Sequence, residues 1–305
     1  MRTFRSFEDL LDRYKAFSER KRVAIVCPAD DHTEYVVRRC AEEDLVDLIL
    51  VLGGDESDDF LAFCRSYSAD RIRLVRCADV VAAAREGVRI VHDGEADVLM
   101  KGSLNTDTIL HAVIDKEGGR GLIERGAVMS HITLVEAPVY HKLLMFSDAA
   151  VIPNPTLEQF EAMIGYDCAI ARSIGIECPK IALIHFTEKI NSRFQVTSDY
   201  ETLKNMAENG RFGDVSMSGP MDVKTACDIE SARIKKIGSD VVGDADILIM
   251  PDLEASNAFY KTVSYFGKAR MAGLVTGTTA PVVVASRADS AESKFFSVIL
   301  ACIAS

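Results

Sequence analysis

The chain has 305 residues, 48% of them hydrophobic and 27% charged, with a formal charge of −11. A length of this order predicts two domains, and the composition is globular rather than disordered or coiled-coil. The negative charge argues against broad binding to nucleic acid or to an anionic membrane, although local cations and backbone amides still allow a small anionic ligand.

Residues 1–21 are broken by Arg2, Arg5, Glu8, Asp9 and Asp12 and carry no signal-peptide core. No stretch reaches the roughly 18 apolar residues of a membrane span. The eight cysteines form no CxxC pair and sit near no histidine cluster. No metal site is therefore expected, and scattered thiols suit a reducing cytoplasm.

Short apolar runs alternate with amphipathic stretches, the pattern of βα units on a mainly parallel sheet. In chain order, strands are predicted at 22–29, 47–52, 72–77 and 97–101, with helices at 31–43 and 80–95. The fourth strand runs into the loop 101–108, which opens a helix ending at 114. Gly118, Gly119 and Gly121 mark a loop before a strand at 132–135. Further strands are predicted at 143–146, 181–186, 215–217 and 247–250, with helices at 156–173, 199–209, 223–236 and 257–266 between them. Strands at 271–276 and 281–286 and a helix at 291–304 complete the chain.

Five strand exits carry polar residues, and in open α/β sheets ligands bind outside the carboxyl ends of strands. In the first, Lys101 offers charge, Gly102 close backbone approach, and Ser103, Thr106 and Thr108 hydroxyls, ahead of a helix N-terminus suited to phosphate. The same residues serve turning and capping equally well. No Walker loop and no GxGxxG is present. The stretch 281–290 gives a buried strand followed by Ser286, Arg287 and Asp289. Arg287 is a planar fork for a phosphoryl group, while Asp289 and Glu292 alternatively form a capping box for the last helix. The other exits hold Asp148 and Asn154, Ser218 to Asp222, and Glu254 with Asn257. The six histidines show no metal spacing and suit surface or core positions; His131, beside Ser130 at a strand entrance, is the one candidate among them.

These five loops, in this order, resemble the phosphate acetyltransferase and phosphate butyryltransferase family from about residue 22 onwards. The most specific matches are 97–108, Phe146-Ser-Asp-Ala-Ala, Ser218-Gly-Pro-Met-Asp, 245–251 with 254–261, and 281–290. The length and the Ser-Arg-Ala-Asp-Ser form are closer to the butyryl branch. The resemblance implies an α/β fold of two lobes with mainly parallel sheets, like isocitrate and isopropylmalate dehydrogenases. The lobes expected are 1–137 with 279–305, and 138–278.

The implied reaction interconverts a short-chain acyl-CoA plus inorganic phosphate with acyl phosphate plus CoA. CoA is a substrate, no cofactor is permanently bound, and the expected assembly is a homodimer or larger. Ser286 and Arg287 match the serine and arginine that face the phosphoryl group, and Gly102, Ser103, Thr106 and Thr108 match the phosphate cradle. Asp148, Asn154, Glu254 and Asn257 lie in cleft-lining segments. The acetyl branch has a catalytic aspartate about two helical turns after the Ser-Arg pair. Here that stretch reads Ser290-Ala-Glu292-Ser-Lys294, which leaves Asp289 or Glu292 as the base, or no base at all. Two alternatives stand beside this reading: a decarboxylating NAD-dependent dehydrogenase on the related fold, and a catalytically silent ligand-binding relative.

Overall fold

A computed structural model describes residues 4–115, 121–124, 126–286 and 289–305. The chain divides into two compact units, one of residues 10–127 with 272–305 and one of residues 1–9 with 128–271. Residues 1–9 and 128–137 thus lie with the middle of the chain, and 272–278 with its ends.

The elements run α1 (Phe7–Lys15), β1 (Arg22–Val26), α2 (Asp31–Glu42), β2 (Asp47–Leu52), α3 (Asp58–Arg65), β3 (Ile72–Arg76), α4 (Val80–His92), β4 (Val98–Lys101) and α5 (Thr106–Ile114). Then come β5 (Ser130–Glu136), β6 (Leu144–Ser147), α6 (Leu157–Ser173), β7 (Lys180–Ile184), α7 (Gln195–Glu208), β8 (Ser216–Met221), α8 (Val223–Cys227), α9 (Ile229–Lys235), β9 (Ile247–Ile249) and α10 (Leu253–Tyr265). The chain ends with β10 (Arg270–Thr276), β11 (Val282–Val283) and α11 (Ala291–Ala304).

In the first unit the strand order is β3-β2-β1-β4-β11-β10. All neighbours are parallel except β10 with β11. β1, β2 and β4 are buried almost end to end, as strands covered on both faces must be. The carboxyl ends of β1, β4 and β11 therefore share one edge. α11 is buried on nearly every side, from Lys294 to Ile303, as a helix packed on all faces must be.

In the second unit the order is β5-β6-β9-β7-β8, antiparallel only between β5 and β6. Tyr200, fully buried on α7, sets its hydroxyl 3.0 Å from the Ile184 carbonyl and 3.3 Å from that of Ile249. It thereby ties the carboxyl ends of β7 and β9.

The α/β class and parallel sheets agree with the sequence, and several boundaries do not. β1 stops at Val26 because Cys27 turns the chain with φ 52°. β11 is two residues long, so Ser286 lies beyond it. α5 begins at Thr106, which makes Thr106 and Thr108 its first and third residues rather than loop. The helix expected over 223–236 is two helices, because Asp228 caps the second through the Glu230 and Ser231 amides. α1 and α3 were not anticipated; in α1 the apolar Phe7, Leu10, Leu11 and Tyr14 hide between charges at helical spacing.

Candidate active site

The β4 and β11 exits of the first unit are brought together. Lys101 is 3% exposed and donates from Nζ to the carbonyls of Gly102 and Ala285, both at 3.3 Å. The phosphate-loop candidates and Ser286 are therefore neighbours, joined by a buried ammonium.

The loop amides themselves are used within the fold. Gly102 N–H donates to Val26 O at 2.8 Å and Ser103 N–H to Cys27 O at 2.8 Å. The Ser103 hydroxyl also donates to Cys27 O, at 3.1 Å. Gly102 is required by this close approach, since a Cβ there would lie 2.2 Å from the Cys27 carbonyl oxygen. What faces outward is the first turn of α5, whose amides have no intrahelical acceptor, with the Thr106 and Thr108 hydroxyls.

Ser286 N–H donates to Asp289 Oδ2 at 2.7 Å, and Asp289 N–H returns to Ser286 O at 3.1 Å. His32, in the first turn of α2, donates from Nδ1 to the Asp289 carbonyl at 2.9 Å. Arg287 lies outside the described residues, as do Gly118 and Gly119. The capping box proposed for Asp289 and Glu292 does not form: Ser290 caps α11, accepting from Ser293 N–H at 3.1 Å. Glu292 instead points to α2, where its Oε1 accepts from Arg39 Nη1 at 2.7 Å and from the Tyr35 hydroxyl. Lys294, 3% exposed, sets Nζ 2.7 Å from Asp30 Oδ1 and 3.3 Å from Thr33 Oγ1. Burial raises the Asp30 carboxyl, but Lys294 and the Thr33 donors overcome it and hold the group below the usual carboxylate range.

In the second unit the remaining candidates gather on the turn after β6. Asp148 is 2% exposed, and its carboxylate accepts three backbone N–H groups: His131 at 2.9 Å, and Ala150 and Val151 at 2.8 Å each. Asn257 on α10 donates to Ala149 O at 3.2 Å, and Leu253 N–H donates to Pro153 O at 3.0 Å. The exposed Asn154 and Glu254 thus lie on the two segments this bond joins. Asp148 clasps the turn rather than presenting a free carboxylate. Ser130 and His131 are buried at the start of β5.

Behind this turn Ser147 Oγ donates to Asp167 Oδ2 at 2.6 Å, and Asp167 Oδ1 has no partner among the described residues. Burial pushes the Asp167 carboxyl up to about 8; the Ser147 bond opposes this and the neighbouring Asp148 charge adds to it.

Residues 72–302 match the family described as Phosphate acetyl/butaryl transferase. The phosphate butyryltransferase of Clostridium beijerinckii is 33% identical over 98% of this chain and 97% of its own length. The chain belongs to this family. The phosphate acetyltransferase of Thermotoga maritima is 32% identical, covering 93% of this chain and 95% of its own. Among solved structures, a branched-chain phosphotransacylase from Enterococcus faecalis superposes with a TM-score of 0.80 at 27% identity, over 93% of this chain and 98% of that one. As a family member the protein is a phosphate acyltransferase, which decides against the dehydrogenase and the silent-relative readings.

Sequence reasoning missed Asp30, Lys294 and Asp167 in this acyltransferase and passed over His32. Asp30 and Lys294 are 264 residues apart, and nothing local to either marks the pair. Asp167 carries one sequence-level sign, an acid among the apolar positions of a helix. Among the described residues no helix is long and apolar enough to cross a membrane, and no group of three or more His, Cys, Asp or Glu is placed to hold a metal.

Proposed function

We propose that this family member interconverts butyryl-CoA and phosphate with butyryl phosphate and free CoA, at the carboxyl edge of the first unit's sheet. The observation that carries this reading is the Lys101 ammonium against Ala285 O, which sets the α5 N-terminus beside Ser286. The first-turn amides of α5, with the Thr106 and Thr108 hydroxyls, suit a phosphoryl group. Ser286 and Arg287 take the roles the family implies, donating to the tetrahedral oxyanion and to the phosphate. Asn154, Glu254 and Asn257 keep the cleft-lining role that the family implies, Asp148 holds the turn that carries Asn154, and Ser130 and His131 are candidates by their place at the start of β5.

CoA binds as substrate rather than as a resident cofactor. A cavity of about 390 Å³ is lined by Val81, Arg85, Thr108, His111, Ala112 and Asp115. Arg85 makes no ion pair among the described residues, so its guanidinium is available to a phosphate of CoA. Acyl-CoA, CoA, phosphate and acyl phosphate are then the partners, and nucleic acid and membrane are not. We place the enzyme in the cytoplasm.

A homo-oligomer is supported by apolar side chains left open on the second unit. Ile234, Tyr265 and Phe266 are each more than three-quarters exposed, a cost that a second copy would remove.

Phosphate-dependent release of CoA from acetyl-, propionyl- and butyryl-CoA tests the acyl assignment. Each methylene seated in an apolar pocket raises kcat/KM about 10–200-fold, so butyryl-CoA ranks first. A ranking led by acetyl-CoA would contradict the butyryl assignment.

A further inference from the structure

We infer that His32 is a catalytic residue: its Nε2 takes the proton of the CoA thiol during transfer to the acyl group and returns it in the reverse direction. The inference rests on the reading above, in which Ser286 and the start of α5 mark the reacting end.

A thiol is mostly protonated at neutral pH, and the thiolate is the nucleophile, so transfer from acyl phosphate is helped by a base within hydrogen-bond reach. The carboxylates at this edge already serve other donors. Asp289 Oδ2 accepts from Ser286 N–H at 2.7 Å. Glu292 Oε1 is held by Arg39 and Tyr35. Asp30 accepts from Lys294 at 2.7 Å, and from the Thr33 amide and hydroxyl at 3.1 and 2.5 Å.

His32 differs from all three. It is exposed on the first turn of α2 and donates from Nδ1 to the Asp289 carbonyl. A carbonyl has lone pairs and no proton to give, so this contact places the N–H of the neutral ring on Nδ1 and leaves the Nε2 lone pair as a proton acceptor. Among the described residues Nε2 makes no hydrogen bond. Because Asp289 is itself bonded back to Ser286 in both directions, the imidazole is joined through Asp289 to Ser286. The charged and titratable groups around it are Asp30, Asp31 and Tyr35 on its own side, and Asp289, Glu292 and Lys294 on the segment packed against α2. Lys294 neutralises Asp30, and Arg39 neutralises Glu292.

In the forward step Nε2 takes the S–H proton while the sulfur pair forms a bond to the carbonyl carbon of the acyl phosphate. The tetrahedral oxyanion collapses, the bond from carbon to the phosphate oxygen breaks, and its electron pair leaves with phosphate. The imidazolium then gives its proton to the phosphate or to water. In reverse, phosphate oxygen attacks the thioester carbon, and the imidazolium protonates the departing thiolate.

Two variants of the full-length protein separate a base from a mere support for the turn. His32→Asn keeps an amide N–H near the Nδ1 position, and so the bond to Asp289 O, but has no base. His32→Ala loses both. With butyryl phosphate and CoA, and in the reverse direction with butyryl-CoA and phosphate, both variants are expected to lose about 10²–10⁴-fold in kcat. The KM for CoA stays near that of the wild type, the acid limb of the pH profile disappears with butyryl phosphate and CoA, where Nε2 starts as the base, and added imidazole restores turnover to His32→Ala. A His32→Asn enzyme with wild-type kcat would overturn the inference while leaving the proposed reaction standing. So would low activity in both variants with an unchanged pH profile and no response to imidazole. A wild-type enzyme with no phosphate-dependent turnover would overturn the reading and the inference together.

Discussion

Lys294 Nζ lies 2.7 Å from Asp30 Oδ1, joining the first turn of the last helix to the residue that caps α2. The lysine side chain is 4% exposed and the aspartate 32%. Removing one partner strands a charge, and for a buried pair this costs about 3–5 kcal/mol. Lys294→Met is expected to fall at the low end, about 3 kcal/mol, because Asp30 still reaches water; urea unfolding followed by circular dichroism measures it. The pH dependence has a definite sign. Asp30 is held below its usual range, so the pair's contribution is present above about pH 4 and is lost as pH falls through the lower folded value. In Lys294→Met that acid-dependent loss shrinks.

Asp167 has the opposite sign. Its carboxyl is pushed up to about 8, so the folded state keeps a proton that the unfolded chain gives up near pH 4. Stability from this group is present below pH 4 and is lost as pH rises toward 8. Asp167→Asn keeps a partner for the Ser147 hydroxyl without the titration. The melting temperature of the variant is expected to gain on the wild type steadily from pH 5 to pH 8. Parallel pH curves for the two proteins would contradict a buried, protonated Asp167.

Gly102 tolerates no side chain. A Cβ would meet the Cys27 and Val26 carbonyl oxygens at 2.2 and 2.6 Å, both backbone atoms that cannot swing aside. Gly102→Ala is expected to destabilise by about 1–3 kcal/mol or more and to displace the start of α5. A raised KM for phosphate in the protein that still folds would report the displacement; wild-type stability and KM would contradict it.

Glu292→Gln addresses the candidate base left open by the sequence. With Oε1 committed to Arg39 and Tyr35, the substitution is expected to lower stability by about 1 kcal/mol and to leave kcat within severalfold of the wild type. A loss of about 10²-fold or more, the scale of a missing general base, would return Glu292 to that role.

How much of this was legible in the sequence follows from the range of each interaction. Strands such as β2 and helices such as α4 announce themselves in ten residues, through apolar runs and helical spacing. The exits of β4 and β11 carried their polar clusters openly, so Lys101, Ser286 and the α5 threonines could be named as candidates, although the Lys101 ammonium is spent on the Gly102 and Ala285 carbonyls. Their use was misjudged where the partner lies elsewhere in the chain. Ser103 was read as offering its hydroxyl and Gly102 as making room for a ligand, yet Val26 at the end of β1 and Cys27 just beyond it, 76 residues from Ser103, take them. Glu292 and Asp289 were read as a cap or a base, yet α2 takes the first and Ser286 the second. Asp148 was read as lining a cleft, whereas the β5 amide of His131 and two turn amides enclose it. Pairings of this kind depend on which strands are neighbours, and local pattern does not record that.

The most direct measurement is phosphate-dependent release of CoA from butyryl-CoA by the wild type, Ser286→Ala and Arg287→Ala. Turnover is expected to require phosphate and to fall about 10²–10³-fold in each variant, the scale of losing a donor to the transition-state charge, with all three proteins equally folded. Turnover that ignores phosphate, or variants as fast as the wild type, would contradict a reaction centred on the carboxyl ends of β4 and β11.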